Sequence, residues 1–280
     1  MKRYIVGFFL FFLTGFCIAQ DDPELKNLAW HRYVTTNFTI LSLNDDQGNW
    51  MKNNLENIKS WCLTRWGFPD IKFSKECRVF CVPDNAMLSK LFNLTSSKVE
   101  IRRNNGSIEI TAMWISLDDK PARIIPTNLS SIILSELEQV NKLKFPLWAT
   151  IGISKLNGTQ EDIRYSLSFL SDKSLFSIDD LLSLTNDQYS KFDNEKQQLF
   201  DSQSVALCLF LRKEFGEVKL HSFLKINYQS GYSVAVKIVL GFLSISEFEK
   251  TYIRYVKGLS KDVSDKITPD SYLTIKQLEN

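Results

Sequence analysis

From Trp30 to Leu117 the hydrophobic pattern is mostly that of strands. Tyr33–Leu41 alternates and is rich in β-branched residues, and Lys75–Val82 repeats the pattern. Between them, Leu55, Ile58, Cys62 and Trp66 fall on one stripe at helical spacing, so a helix is expected over 49–66, stopped by Gly67 and Pro69. Val99–Arg103 and Ser107–Leu117 flank Asn104-Asn105-Gly106, a strong signal for a tight hairpin turn.

Beyond Pro126 the period changes. Leu129–Leu143 reads as an amphipathic helix with Leu129, Ile133, Leu137 and Val140 on one stripe and with Asn128 or Ser130 available as its cap. Pro146 opens a second helix, which Asn157-Gly158 closes. Further helices are expected over 161–170, 178–184, 195–215, 218–228, 233–239 and 246–257, with Gly216, Gly231 and Gly241 as punctuation. The fold class is therefore α+β: a small mixed sheet with a long helix in the first half and an all-helical second half. The expected divisions are 20–125, 126–258 and a tail over 259–280, with the two larger parts packed as one continuous body.

The start of the chain has its own logic. Met1-Lys2-Arg3, the apolar run Tyr4–Phe16 and Cys17-Ile18-Ala19 have the charged start, short apolar middle and small-residue end of a cleavable signal over residues 1–19. The run is shorter than the roughly 20 residues a spanning helix needs. Later apolar runs, Val205–Leu211 and Ile238–Leu243, are shorter still. A secreted or periplasmic location follows, with no membrane span in the mature chain. Removing Lys2 and Arg3 from 34 basic residues balances the rest against 32 acidic ones. That gives no steering towards nucleic acid. Cys62, Cys77, Cys81 and Cys208 remain, either as buried thiols or with Cys62 bridged to Cys77 or Cys81; the last two share a strand face but stand too far apart to pair with each other.

This order of elements resembles the gluzincins, the peptidase MA-like zinc metallopeptidases. Thr35-Thr36-Asn37-Phe38-Thr39-Ile40 is similar to the family's first strand, and Met113–Leu117 to its edge strand. Ser135-Glu136-Leu137-Glu138-Gln139 falls where the family carries His-Glu-x-x-His. Pro146-Leu147-Trp148-Ala149-Thr150-Ile151-Gly152 is similar to its Trp-x-x-Glu-Gly helix. The resemblance implies a thermolysin-like architecture. It also implies a cleft in which two histidines one helical turn apart and a glutamate from the next helix hold zinc, while the glutamate beside the first histidine handles the proton of the bound water. Those ligand positions fall here on Ser135, Gln139 and Ile151, none of which replaces the lost imidazoles or carboxylate.

Glu136 alone keeps the general-base position. Read without the family, it is a glutamate on a polar helix face. The resemblance therefore implies a noncatalytic pseudopeptidase with no metal and no cofactor, whose remnant cleft, lined by Trp114 and Trp148, takes an extended peptide or exported protein partner. A peptide would add to an edge near Met113–Leu117 through main-chain hydrogen bonds. The alternatives are a hydrolase, foremost a metallopeptidase with atypical ligands, and a structural envelope component. His31 and His221 have no second histidine at helical spacing. No Gly-x-Ser-x-Gly elbow and no phosphate-cradling glycine loop occurs. The acidic doublets Asp118-Asp119 and Asp179-Asp180 read as turn or cap residues.

Overall fold

In the computed structural model, which describes residues 28–262, Asn37 breaks the long alternating run into two strands. They are β1 (His31–Val34) and β2 (Phe38–Ser42), paired antiparallel. The break has a clear cause. Glu56 accepts from the Asn37 backbone N–H at 2.7 Å, from its side-chain amide at 2.7 Å and from the Thr35 hydroxyl at 2.7 Å, while the Asn37 side-chain oxygen accepts from Phe73 N at 2.8 Å. A single strand over 33–41 is thus corrected to a hairpin held from below.

Glu56 belongs to α1 (Asp45–Arg65), capped by the Asn44 side chain on Gln47 N, with Asp45 and Asp46 in the first turn. Next come β3 (Cys77–Val82), the short α2 (Asn85–Phe92), β4 (Lys98–Asn104) and β5 (Ser107–Ser116). Periodicity alone does not announce α2; its cap, Asp84 accepting from Met87 N, marks it locally. The β4–β5 turn is as expected, with Asn105 and Gly106 both at positive φ (50° and 81°).

The sheet order is β1-β2-β3-β5-β4, with β2, β3 and β5 parallel and the two outer pairs antiparallel. This corrects one expectation. The strand that carries Met113–Ser116 is not an edge: β5 is hydrogen-bonded to β3 on one side and β4 on the other, and the edges are β1 and β4. The sheet is also two-faced. Met113 and Ile115 join the main core, whereas Ala112 and Trp114 alternate with them and join a smaller cluster with Val82, Leu88 and Leu91 on the α2 side.

After β5 and a 3-10 turn (Leu117–Asp119) every element is helical. α3 (Pro121–Asn141) and α4 (Leu147–Leu156) lead, followed by α5 (Gln160–Ser168), α6 (Ile178–Ser183), α7 (Asn186–Tyr189) and the long α8 (Asn194–Ser230). The last are α9 (Tyr232–Ala235), continued by a π turn to Leu240, and α10 (Ile245–Asp262). The helices expected over 195–215 and 218–228 are the two arms of α8, kinked where Gly216 has φ 79°. α3 starts earlier than the pattern suggested and runs through Pro126. Its buried face is Leu129, Ile132, Ile133, Leu134 and Leu137, while Val140 is 59% exposed and Ser130 hydrogen-bonds inside the helix instead of capping it.

One continuous cluster of buried side chains extends from Phe38 to Val256, so the halves share a core. A buried polar chain crosses it: Trp66 Nε1 donates to Asn157 Oδ1 at 2.9 Å, and Asn157 Nδ2 donates to Ser130 Oγ at 2.7 Å. These three residues come from the end of α1, the end of α4 and α3. Among the described residues no helix is long and apolar enough to cross a membrane. The expected signal, residues 1–19, and the part of the expected tail beyond Asp262 lie outside the described residues.

Candidate functional site

Glu136 sits on the α3 face turned to the loop that precedes β3, and it is fully buried. Its Oε2 accepts from Ser74 N at 3.0 Å and its Oε1 from the Ser74 hydroxyl at 3.1 Å. Burial pushes its carboxyl above the usual range, and the Ser74 bonds and the Arg103 guanidinium offset only part of that rise. This corrects the expectation of a polar-face glutamate. It is not a glutamate on a polar outer face, and it does not open onto solvent where a general base would meet a water.

The neighbouring positions turn to the β4–β5 hairpin. Arg103 donates to the Ser135 carbonyl oxygen at 3.1 Å and pairs with Glu138 at 2.8 Å. Gln139 Oε1 accepts from Ile108 N at 2.6 Å, completing the start of β5 beside the irregular pairing at Arg102/Arg103. Glu138 Oε1 accepts from Phe145 N at 2.7 Å and so fastens the α3–α4 connection. Burial raises the Glu138 carboxyl as well. Gln139 thus holds the hairpin with its side chain and Ser135, one turn before it, only with its main-chain carbonyl, while Ile151 on α4 is half-buried against the main core. Spacing on α3 places the first two; the contacts that occupy them come from far along the chain and carry no local signal.

The two tryptophans expected to line one cleft do not share a surface. Trp114, 5% exposed, stacks on Phe80 at 5.8 Å between ring centroids, in the cluster on the α2 side of the sheet. Trp148, 1% exposed, packs in the main core with its centroid 6.1 Å from that of Phe223. Both are packing residues, because burial removes the ring faces a ligand would need.

The remaining candidates also find structural partners. Cys62, Cys77, Cys81 and Cys208 are free and buried, so no bridge joins Cys62 to the β3 cysteines. Burial raises the thiols of Cys62 and Cys77 to about 12 and that of Cys81 to about 11, which is the opposite of an activated nucleophile. His31 lies 3.1 Å from Asp45. His221 stacks on Phe68 at 4.5 Å and its Nε2 lies 2.6 Å from the Trp66 carbonyl oxygen. Asp118 and Asp119 accept from Asn85 and Ser97, and Asp180 belongs to the Ser177 cap of α6. Among the described residues no three His, Cys, Asp or Glu side chains are grouped to hold a metal ion. Compared with known proteins, the chain matches no family model, and no curated protein matches its sequence.

Proposed function

We propose that this chain is an exported, noncatalytic protein of gluzincin-like build, a pseudopeptidase that binds instead of cleaving. The observation that carries the reading is the use made of Glu136: a fully buried carboxylate with both oxygens occupied by Ser74 is a structural tie. The peptidase reaction needs that carboxylate beside a metal-bound water whose pKa the metal has brought down to about 7. At the two lost histidine positions, the Gln139 side chain accepts from Ile108 N and Ser135 offers its main-chain carbonyl to Arg103. The succession of paired strands, long helix, short strand, hairpin, α3 and α4 supports the family likeness and, as our inference, its thermolysin-like architecture.

The partner would be an extended peptide or an exported protein bearing one. Main-chain addition suits β4, which has a single sheet neighbour, and not β5, which is paired on both sides. The decisive experiment measures zinc content and peptide hydrolysis in purified mature protein. The expected result is substoichiometric zinc and no chelator-sensitive cleavage. One zinc per chain together with cleavage that a chelator abolishes overturns the reading.

A further inference from the structure

A cleft of about 490 Å³ opens between the first half of α3, the end of α4, α5, α7 and the start of α8. None of its lining residues belongs to the segments that resemble a peptidase. Its size falls within the roughly 300–1,000 Å³ typical of small-ligand sites.

The lining mixes apolar and polar surface and is balanced in charge. Arg123 pairs with Asp162 at 2.6 Å and Lys155 with Asp201 at 2.9 Å, and these four are the charged residues of the cleft. Each pair sets N–H donors beside a carboxylate acceptor. Asp201 also accepts from the Tyr189 hydroxyl at 2.9 Å. Burial and that carboxylate push the Tyr189 hydroxyl well above its ordinary range, so it stays a donor. At the rim Tyr165 is 63% exposed, and Gln198 Nε2 donates to its hydroxyl at 2.9 Å, which orients the ring.

The geometry points to a binding site for a neutral saccharide. A sugar hydroxyl donates and accepts at once, so it suits a wall that sets donors beside carboxylate acceptors, as the Arg123–Asp162 and Lys155–Asp201 pairs do. The apolar C–H face of a sugar ring packs on an exposed aromatic ring, and Tyr165 offers one. The internal pairing of both cations leaves no excess positive charge to select a phosphate or a uronic acid, and the pairing of both carboxylates leaves none to select a cation. The inference does not depend on the pseudopeptidase reading.

Calorimetric titration of the mature chain with chitotriose, cellotriose and maltotriose tests it, with phosphate and glucuronate as charged controls. At least one trisaccharide is expected to bind with a dissociation constant below about 1 mM. Tyr165→Ala and Gln198→Ala, both at the rim, should each weaken that binding about tenfold or more while leaving circular dichroism and the unfolding midpoint unchanged. Three outcomes overturn the proposal: no trisaccharide binds at about 10 mM, both variants bind as the parent does, or a charged control binds more tightly than every neutral sugar.

Discussion

Gly152 faces Ser204 so closely that a methyl group on it would stand 2.4 Å from the Ser204 carbonyl oxygen and 2.5 Å from Cys208 Sγ. This close approach is part of the packing of α4 on the first arm of α8. The obstruction includes backbone, so a side-chain rotation does not relieve it. Gly152→Ala is expected to destabilise the fold by about 1–3 kcal/mol or more, as overpacking of a dense core does. Urea unfolding measures it, and a midpoint within error of the parent would show that the two helices separate freely.

The Trp66–Asn157–Ser130 chain makes a second prediction. Asn157 is 2% exposed and satisfies the Trp66 indole and the Ser130 hydroxyl together. Asn157→Ala leaves the indole N–H buried without its acceptor, at a cost of about 1–3 kcal/mol for each group left unsatisfied. Because Trp66 ends α1 and Asn157 ends α4, hydrogen exchange should quicken at both helix ends, which lie in different halves of the chain. Protection lost at α4 alone would argue against the coupling.

These two sites also mark how far the sequence was legible. Helices with a sustained 3.6 period announced themselves, and Asn105-Gly106 and Pro146 punctuated the chain as local turn chemistry predicts, while the helix before Asn157 ends there without a left-handed glycine. What stayed hidden depends on partners distant in sequence. The break at Asn37 is made by Glu56, and the burial of Glu136 goes with Ser74, 62 residues earlier. Strand order is equally nonlocal, which is why Met113–Leu117 looked like an edge although β4 covers it. The helical period placed Ser135 and Gln139 one turn apart on α3, but their hairpin contacts were not readable. The cleft at Tyr165 draws on five helices at once, and no single stretch of sequence foreshadows it.

His221 makes the fold sensitive to mild acid. Burial lowers its pKa, and the Trp66 carbonyl and Glu217 only partly restore it. The folded state therefore favours the neutral ring, so the unfolded chain binds the proton more readily. Stability from this residue is present above the ordinary histidine pKa of about 6.5 and is lost as pH falls through it. His221→Gln removes that slope. Between pH 7.5 and 5.5 the parent should lose more unfolding free energy than the variant; parallel losses would mean that His221 does not contribute.

Glu136 carries the opposite sign, and the pH dependence of its substitution separates a buried tie from a surface carboxylate. Its folded pKa is raised above the ordinary value of 4.5, chiefly by burial. The protonated form is the one the folded state prefers. The contribution is therefore complete below about 4.5 and is lost as pH rises through the higher folded value. Glu136→Gln cannot ionise. It keeps an acceptor oxygen for Ser74 N–H while its amide donates to the Ser74 hydroxyl oxygen, so its local contribution does not vary with pH. The unfolding free energy of the parent minus that of the variant should accordingly shrink as pH rises from about 3.5 to 8. A difference that stays flat would show that burial does not raise the carboxyl, and one that grows with pH would show that the Ser74 bonds and Arg103 outweigh burial.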